Sequence, residues 1–167
     1  MNELILALCM SVPVLGMSNY KNKKACRYMP QIVESSRDHN IKPEILISLI
    51  FVESSFLRKA VSHAGACGLT QVIPKWTGKP ALNRKYTCNQ LKVPKTSIKT
   101  GAKILAWWIK YHNNSLERAL CGYNAGFRCG HITNPKINPN KYGMRYSKKV
   151  ISKSRLIESK KNQLLNR

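Results

Sequence analysis

The chain is 167 residues long and 43% hydrophobic, which favours one domain with a sizeable core and argues against a multidomain or disordered protein. Its 29 lysine and arginine residues against 7 acidic residues give a formal net charge of +22, which indicates a polyanionic environment such as nucleic acid, anionic lipid or an acidic cell envelope. The four histidines and six cysteines show no paired short spacing typical of zinc sites, so we expect neither a metal nor a cofactor.

The first predicted element is an apolar stretch over residues 4–16, which is too short to span a bilayer comfortably. We interpret residues 1–18 as a signal peptide, because small residues near Gly16 offer a cleavage site, although Glu3 replaces the usual basic residue. The alternative is an N-terminal helix that stays attached or docks on a partner. Cleavage would remove Cys9 and leave five cysteines, of which at most two pairs can form.

Residues 19–25 are rich in lysine and asparagine and are predicted to be a basic linker. A helix is expected over residues 28–39, beginning near Pro30, and a second helix begins at Pro43, because proline is tolerated in a first turn. Residues 60–78 are rich in glycine, alanine and serine with little periodicity. They are predicted to form a loop or short strands that end in a turn at Pro74.

A core helix is predicted over residues 101–112, and Ser115 is expected to cap a short helix that leads into residues 122–126. Residues 130–143 contain prolines and asparagines typical of a turn-rich connection. Residues 144–167 are predicted to form a basic terminal helix that frays. We therefore expect a mainly α single domain, with a catalytic domain over residues 19–150 and a basic tail over residues 151–167.

Glu53 is the first candidate for chemistry, because it lies at the end of the apolar segment 45–52. At helical spacing it shares a face with Ile45, Leu46, Leu49 and Ile50. Burial and the negative end of the helix dipole should both raise its pKa. A glutamic acid that is protonated near neutral pH is a general acid, which glycosidic cleavage requires. The alternative is a structural glutamate at a helix end.

Three segments carry a family resemblance: ESSF at 53–56, AGACGLTQVIP at 64–74 and ALCGYNAG at 119–126. In this order and separation they resemble the soluble lytic transglycosylase domain family, and the segment SIKTGA at 97–102 resembles the start of that family's long helix. The resemblance spans roughly residues 29–150. It implies a lysozyme-like α+β fold, mainly helical, with a small loop or β region after the catalytic helix.

The resemblance also implies cleavage of the β-1,4 bond between N-acetylmuramic acid and N-acetylglucosamine in the glycan strands of peptidoglycan, with formation of a 1,6-anhydromuramic end. In that family one glutamate acts first as acid and then as base. Ordinary glycoside hydrolases use two carboxyl groups. No second acidic residue lies inside the three motifs, which suits the single-glutamate chemistry.

Several residues match family positions. Glu53 matches the catalytic acid and base, Ser62 matches a serine that contacts the muramic sugar, and Gln71 matches a glutamine that binds glycan hydroxyl or acetamido groups. A loop hydrogen bond is the structural alternative for Ser62. Thr70 stands where the family usually has methionine, and we expect this change to remove an apolar platform beneath a sugar.

The third motif and the closing segment supply three more candidates. Tyr123 is expected to bring its hydroxyl near Glu53, and Asn124 is expected to brace the wall of the cleft. Core packing and turn formation are their structural alternatives. Tyr146 resembles a tyrosine of the family's closing segment.

Cysteines near the motifs depart from the family pattern. Cys121 and Gly122 replace a common pair of alanines, and Cys67 lies inside the second motif. Bridges to Cys88 or Cys129 would be close to the cleft, but the sequence does not determine the pairing.

Two other functions remain open at the level of sequence. A muramidase of the goose-lysozyme type would share the fold and release a reducing end. A non-enzymatic cationic binder of nucleic acid or envelope would need a basic stripe interleaved with aromatic residues, whereas the basic residues here are spread along the chain. We therefore expect no specific nucleic-acid partner, and we interpret the charge as a means of holding the enzyme on anionic envelope polymers.

The sequence is compatible with two settings. An exported enzyme would open the wall locally in the periplasm or cell envelope beside secretion or conjugation machinery. A phage-borne enzyme would be carried in a virion and act at the host envelope.

Overall fold

The computed structural model describes residues 3–79, 81–130 and 138–166, and within these ranges the chain folds into seven α-helices. They are α1 (Glu3–Ser11), α2 (Asn19–Asp38), α3 (Pro43–Ser54), α4 (Cys88–Leu91), α5 (Pro94–Tyr111), α6 (Leu116–Ala125) and α7 (Lys141–Leu165). Short 3-10 helices cover Val12–Leu15, Pro74–Trp76 and Gly126–Cys129. The prediction of a mainly α protein is confirmed.

Helix α3 forms the centre of the core. It begins with Pro43 in its first turn, as predicted, and ends where Ser55 adopts a left-handed conformation with φ 48°. Its residues 46–50 are fully buried, and α2 and α7 pack against it. An apolar helix covered on several sides places its last turn, which contains Glu53, at the boundary between core and cleft.

Helix α2 is longer than the sequence predicted, because residues 19–25 are helical and do not form a linker. Ala25, Met29 and Ile32 lie one above another and are fully buried, so tertiary packing outweighs the polar composition of the first turns. Pro30 lies inside the helix on its exposed side, where the missing N–H donor does not interrupt the core.

The apolar N-terminal stretch packs into the domain. Helix α1 contacts α2 and α7, and Leu8 and Val12 are fully buried in the main core. Leu15 is 5% exposed. Within the described residues, no helix is long and apolar enough to cross a membrane. Cleavage after residue 18 stays a prediction, and it would remove side chains that fill the core of this structure.

Helix α7 continues through the segment expected to fray. Val150 and Ile157 are fully buried, and α7 packs on α1, α3 and α6. The Lys161 ammonium group pairs with the buried Glu44 carboxylate at the start of α3. Buried contacts beyond residue 150 therefore join the predicted tail to the domain. Residues 131–137 of the predicted turn-rich connection lie outside the described residues, and 141–143 already belong to α7.

Helix α6 follows the prediction closely, whereas α5 was predicted over residues 101–112 and covers Pro94–Tyr111. Leu105 and Trp108 of α5 are buried, and the helix begins earlier than expected because Pro94 starts it. Ser115 caps α6 by accepting a hydrogen bond from the Arg118 N–H at 3.4 Å. The predicted loop or β region between α3 and α4 contains isolated bridges, Val61 with Cys67 and Cys67 with Val72.

Two disulfides join neighbouring elements near these segments. Cys67 in the loop after α3 pairs with Cys88 at the start of α4. Cys121 of α6 pairs with Cys129 at the end of the last 3-10 helix. The sequence analysis named Cys88 and Cys129 as possible partners without determining the pairing, and each of them forms one of these two disulfides.

Candidate active site

A cleft of about 860 Å³ opens between the end of α3, the loop that follows it, α5 and α6. Five of the six predicted site residues line it: Glu53, Ser62, Gln71, Tyr123 and Asn124. The sixth, Tyr146, reaches the same place from α7 and contacts Glu53. Residues from four separate segments of sequence thus meet at one cleft.

Glu53 is the one carboxylic acid among the described residues that line the cleft. The Tyr146 hydroxyl donates a hydrogen bond to Glu53 Oε1 at 2.6 Å. Burial raises the pKa of Glu53 to about 7, while the hydrogen bond from Tyr146 favours the carboxylate and acts in the opposite direction. A carboxyl group of this pKa can both donate and accept a proton near neutral pH.

Ser54 anchors the backbone beside Glu53. Its Oγ lies 3.2 Å from the Ile50 carbonyl oxygen and 2.8 Å from the Leu69 carbonyl oxygen, within hydrogen-bond reach of both. One side chain thus links the last turn of α3 to the second motif. This link fixes the distance between the acid and the loop that forms the opposite wall.

Tyr123 lies close enough to Glu53 for the carboxylate to raise the tyrosine's pKa, although burial is the larger cause of that increase. Its hydroxyl donates a hydrogen bond to the Thr70 carbonyl at 2.8 Å. Tyr123 and Glu53 line the same cleft, and the hydrogen bond to Glu53 comes from Tyr146. Burial likewise keeps the pKa of Tyr146 well above its usual value, so both phenols are neutral donors.

The structure overturns the expectation for Thr70. Its side chain is fully buried, and its hydroxyl donates to the Ser97 carbonyl of α5 at 2.8 Å. The residue therefore joins the loop to α5 and does not face a sugar. Gly101 supports this contact, because a Cβ atom there would lie 2.5 Å from the Thr70 Cβ.

Ser62 and Gln71 stabilise the loop whose surface they line. Ser62 Oγ accepts a hydrogen bond from the Ala66 N–H at 3.0 Å, which is the structural alternative considered for it. Gln71 has φ 48°, and its amide nitrogen donates to the Gly68 carbonyl at 2.8 Å. Both side chains remain next to the open cleft, so these bonds fix their positions beside a ligand.

Helix α6 forms the floor of the cleft. Asn124 is exposed there, and Gly122 lies against the indole ring of Trp108 on α5. A Cβ atom at position 122 would lie 2.4 Å from that ring. The close approach of the two helices therefore depends on a residue without a side chain.

Sequence reasoning missed the aromatic residues of the cleft. Trp76 and Phe127 are 58% and 65% exposed, and Trp107 also lines the opening. Their flat faces suit the apolar faces of sugar rings. Helical spacing places Ile104, Leu105, Trp108 and Ile109 on the core face of α5. Trp107 lies outside this stripe, and its position was the signal in the sequence that could have identified it. Within the described ranges, no cluster of histidine, cysteine or acidic residues could hold a metal ion.

Comparison with curated proteins finds relatives named membrane-bound lytic murein transglycosylase C. Membrane-bound lytic murein transglycosylase C of Salmonella arizonae is 28% identical over 133 residues, which cover 72% of this chain and 37% of that protein. The protein of the same name from Cronobacter sakazakii is 30% identical over 106 residues, or 60% of this chain and 29% of that protein. The matched part is thus about a third of the relatives' length.

Solved structures share the fold. An inactive variant of lytic transglycosylase Slt from Pseudomonas aeruginosa superposes with a TM-score of 0.66 at 22% identity, covering 80% of this chain and 24% of that one. The 70-kDa soluble lytic transglycosylase of Escherichia coli gives a TM-score of 0.66 at 20% identity, covering 78% and 24%. The profile of the family described as Transglycosylase SLT domain matches residues 30–142. The match covers more than half of the chain and all three motifs, so the protein belongs to the transglycosylase SLT domain family.

Proposed function

We propose that the protein is a peptidoglycan lytic transglycosylase. It cleaves the β-1,4 bond between N-acetylmuramic acid and N-acetylglucosamine and leaves a 1,6-anhydromuramic end. The observation that carries this proposal is Glu53, the single carboxyl group among the described residues that line the cleft, whose pKa burial raises to about 7. Family membership and the names of the relatives support the same substrate.

One carboxyl group is enough for a two-step reaction. Protonated Glu53 first donates its proton to the glycosidic oxygen as the bond to the muramic C1 breaks. The resulting carboxylate then accepts the proton of the muramic C6 hydroxyl, whose oxygen attacks C1. Glu53 ends protonated, so no water is consumed. A hydrolase of the usual kind needs a second carboxylate at about 5–10 Å, and the described lining offers none.

The other residues of the site bind the sugar or hold Glu53 and the cleft walls in position. Tyr146 holds the Glu53 carboxyl group by its hydrogen bond. Tyr123 fixes the second motif against α6 through the Thr70 carbonyl. Ser62 and Gln71 contact the sugar from the loop, and Asn124 braces the floor.

Mass spectrometry of fragments released from purified peptidoglycan tests the proposal. The wild type and Glu53→Gln are compared with Glu34→Gln, which changes an exposed glutamate on α2. We expect anhydro-ended fragments from the wild type and Glu34→Gln and a loss of at least about 100-fold for Glu53→Gln. Circular dichroism checks that the variants are folded.

Other products would decide between the alternatives. Reducing ends, heavier by one water, would replace the proposal with a muramidase of the goose-lysozyme type. A folded wild type that releases no fragments would leave the cationic binder.

The same proposal places the enzyme at the cell envelope. The relatives are named membrane-bound murein transglycosylases, and the net charge of +22 suits anionic envelope polymers. Export beside secretion or conjugation machinery and carriage in a phage virion both bring such an enzyme to the wall.

A further inference from the structure

The Cys121–Cys129 disulfide closes a short segment of the active-site cleft. Cys121 lies on α6 and Cys129 ends the last 3-10 helix, and their Cα atoms are 5.8 Å apart. Every residue from 122 to 128 lines the cleft, and Tyr123 is one of them. The Arg118 guanidinium donates a hydrogen bond to the Cys129 carbonyl at 2.9 Å, so this end of the segment is held twice.

The same disulfide supports the start of α7. Cys121 and Cys129 are fully buried, and Gly143 in the first turn of α7 packs directly on their sulfur atoms. A Cβ atom at position 143 would lie 2.7 Å from Cys121 Sγ and 3.1 Å from Cys129 Sγ. Met144 packs against the same buried cluster. The first turn of α7 thus rests on the bridge at a distance that only a residue without a side chain permits.

Tyr146 lies in the turn of α7 that is fixed in this way. The next residue, Ser147, is fully buried, and its hydroxyl lies 2.7 Å from the Glu117 carbonyl oxygen of α6 and 2.9 Å from the Gly143 carbonyl oxygen. Tyr146 is therefore flanked by two contacts that hold α7 on α6 and the bridge. Its hydroxyl reaches Glu53 at 2.6 Å from this position.

We propose that Cys121 and Cys129 are positioning residues for the cleavage of the glycan. Their disulfide holds the start of α7 so that the Tyr146 hydroxyl reaches Glu53. The inference rests on the proposed function, which makes Glu53 the acid and the base of the reaction. Without the bridge, the first turn of α7 loses the surface on which it rests, and the hydrogen bond from Tyr146 to Glu53 weakens.

The second disulfide of the structure provides a matched control. The Cys67–Cys88 bridge closes residues 68–87, which include Gln71 and Trp76 of the cleft. Cys88 begins α4, and α4 packs on α5. A control variant with Cys67→Ala and Cys88→Ala therefore loosens a wall of the cleft and leaves the support beneath Tyr146 in place.

Several titratable or charged groups share the surroundings of Glu53. The phenols of Tyr146 from α7 and Tyr123 from α6 interact with its carboxyl group. Among the described residues, Lys79 and Arg128 are the basic side chains that line the same cleft. The bridge variant, which carries Cys121→Ala and Cys129→Ala, changes none of these groups. A shift in the pKa of Glu53 in that variant therefore reports a change of position.

Carboxyl ¹³C NMR measures the pKa of Glu53 without substrate, and Glu53→Gln identifies the signal. The bridge variant weakens a hydrogen bond to the charged form, so we expect the pKa to rise by roughly 0.5–1 unit. Adding Tyr146→Phe to the bridge variant should cause little further rise, because both changes remove the same hydrogen bond. The control variant should keep the wild-type pKa.

Release of anhydro-ended fragments gives a second measurement. The bridge variant and Tyr146→Phe should each lower kcat by roughly tenfold. Combined, they should lower kcat by far less than the hundredfold product, because they act through one contact. The control variant and Tyr146→Phe should combine as independent changes, so that their separate losses multiply.

These measurements separate the positioning role from general loosening. Circular dichroism verifies that each variant is folded. If the bridge variant does not fold, Gly143→Ala keeps the bridge and pushes α7 away from it, and it should raise the pKa of Glu53 in the same direction. An unchanged pKa in the folded variant, or an equal rise in the control variant, would overturn the proposal. A wild type that cleaves no glycan would instead overturn the proposed function, and the titration would still show whether the bridge holds Tyr146 in place.

Discussion

At the scale of single residues, the pKa of Glu53 is set by two opposing effects. Burial in the last turn of α3 raises it, and the hydrogen bond from Tyr146 partly reverses that increase. The apolar helix in the sequence was sufficient to predict the first effect. The second depends on a residue 93 positions away, which no local pattern reveals.

We predict that Tyr146→Phe raises the pKa of Glu53 further, because the variant removes a hydrogen bond to the charged form. The enzyme needs protonated Glu53, so activity falls as the pH rises through about 7. In the variant, the pH at which kcat/KM falls on the alkaline side of its pH profile should increase by roughly one unit. Tyr142→Phe, which changes an exposed tyrosine one turn earlier on α7, is the control and should leave this pH unchanged. A pH that stays the same or decreases in Tyr146→Phe would contradict the pairing.

At the scale of elements, the three motifs predicted which residues line the cleft more accurately than the hydrophobic periodicity predicted where the helices begin and end. The order of the motifs predicted that Glu53, Gln71 and Tyr123 lie near one another, and all three line one cleft. The predicted start of α2 was wrong, because residues 19–25 are helical and not a linker. The prediction that the end of α7 frays was also wrong, because the helix continues to Leu165. Lysine-rich turns look exposed in a sequence, and only the structure shows the residues that pack against them. Ser97 illustrates the same limit: its contacts with Thr70 depend on the distance between α5 and the loop.

Two ion pairs join α7 to the start of α3, one at Glu44 inside the helix and one at Lys42 immediately before it, and they give a test of the packing of α7. Lys161 and Glu44 form a pair with side chains 16% and 3% exposed, and Lys42 and Glu158 form one with side chains 69% and 37% exposed. Lys161→Met removes the ion-pair partner of the buried Glu44 carboxylate, so we expect it to lower the free energy of unfolding by about 2–4 kcal/mol. Lys42→Met should cost less than about 1 kcal/mol. Urea unfolding of both variants measures the difference, and equal values would show that the end of α7 is loosely held.

At the scale of the whole molecule, the mainly α fold and a main core were predictable from composition and helical periodicity, whereas the two smaller buried clusters around Cys67 and Cys121 were not. The contacts of the two terminal helices were not predictable, because α1 packs on α7, and α7 packs on α3, only through tertiary structure. Charge is the other property of the whole molecule. Its many lysines lie on exposed surfaces, where ionic strength screens them.

We predict that binding to cell walls carrying anionic polymers weakens by roughly tenfold from low to high salt, because the attraction is electrostatic. Cosedimentation with the Glu53→Gln variant measures binding without digestion of the wall. Walls stripped of their anionic polymers provide the control and should bind weakly at every salt concentration. Binding to intact walls that ignores salt would show that the cleft alone holds the enzyme.

Because Gly122 contacts Trp108, the residue that one of these positions can accept depends on the residue at the other. With the indole ring where it is, no side chain fits at position 122. A substitution at position 122 is therefore tolerated only with a matching change at position 108: alanine at 122 becomes acceptable once a smaller residue occupies 108. We expect a homologue with alanine at position 122 to carry a smaller residue than tryptophan at position 108.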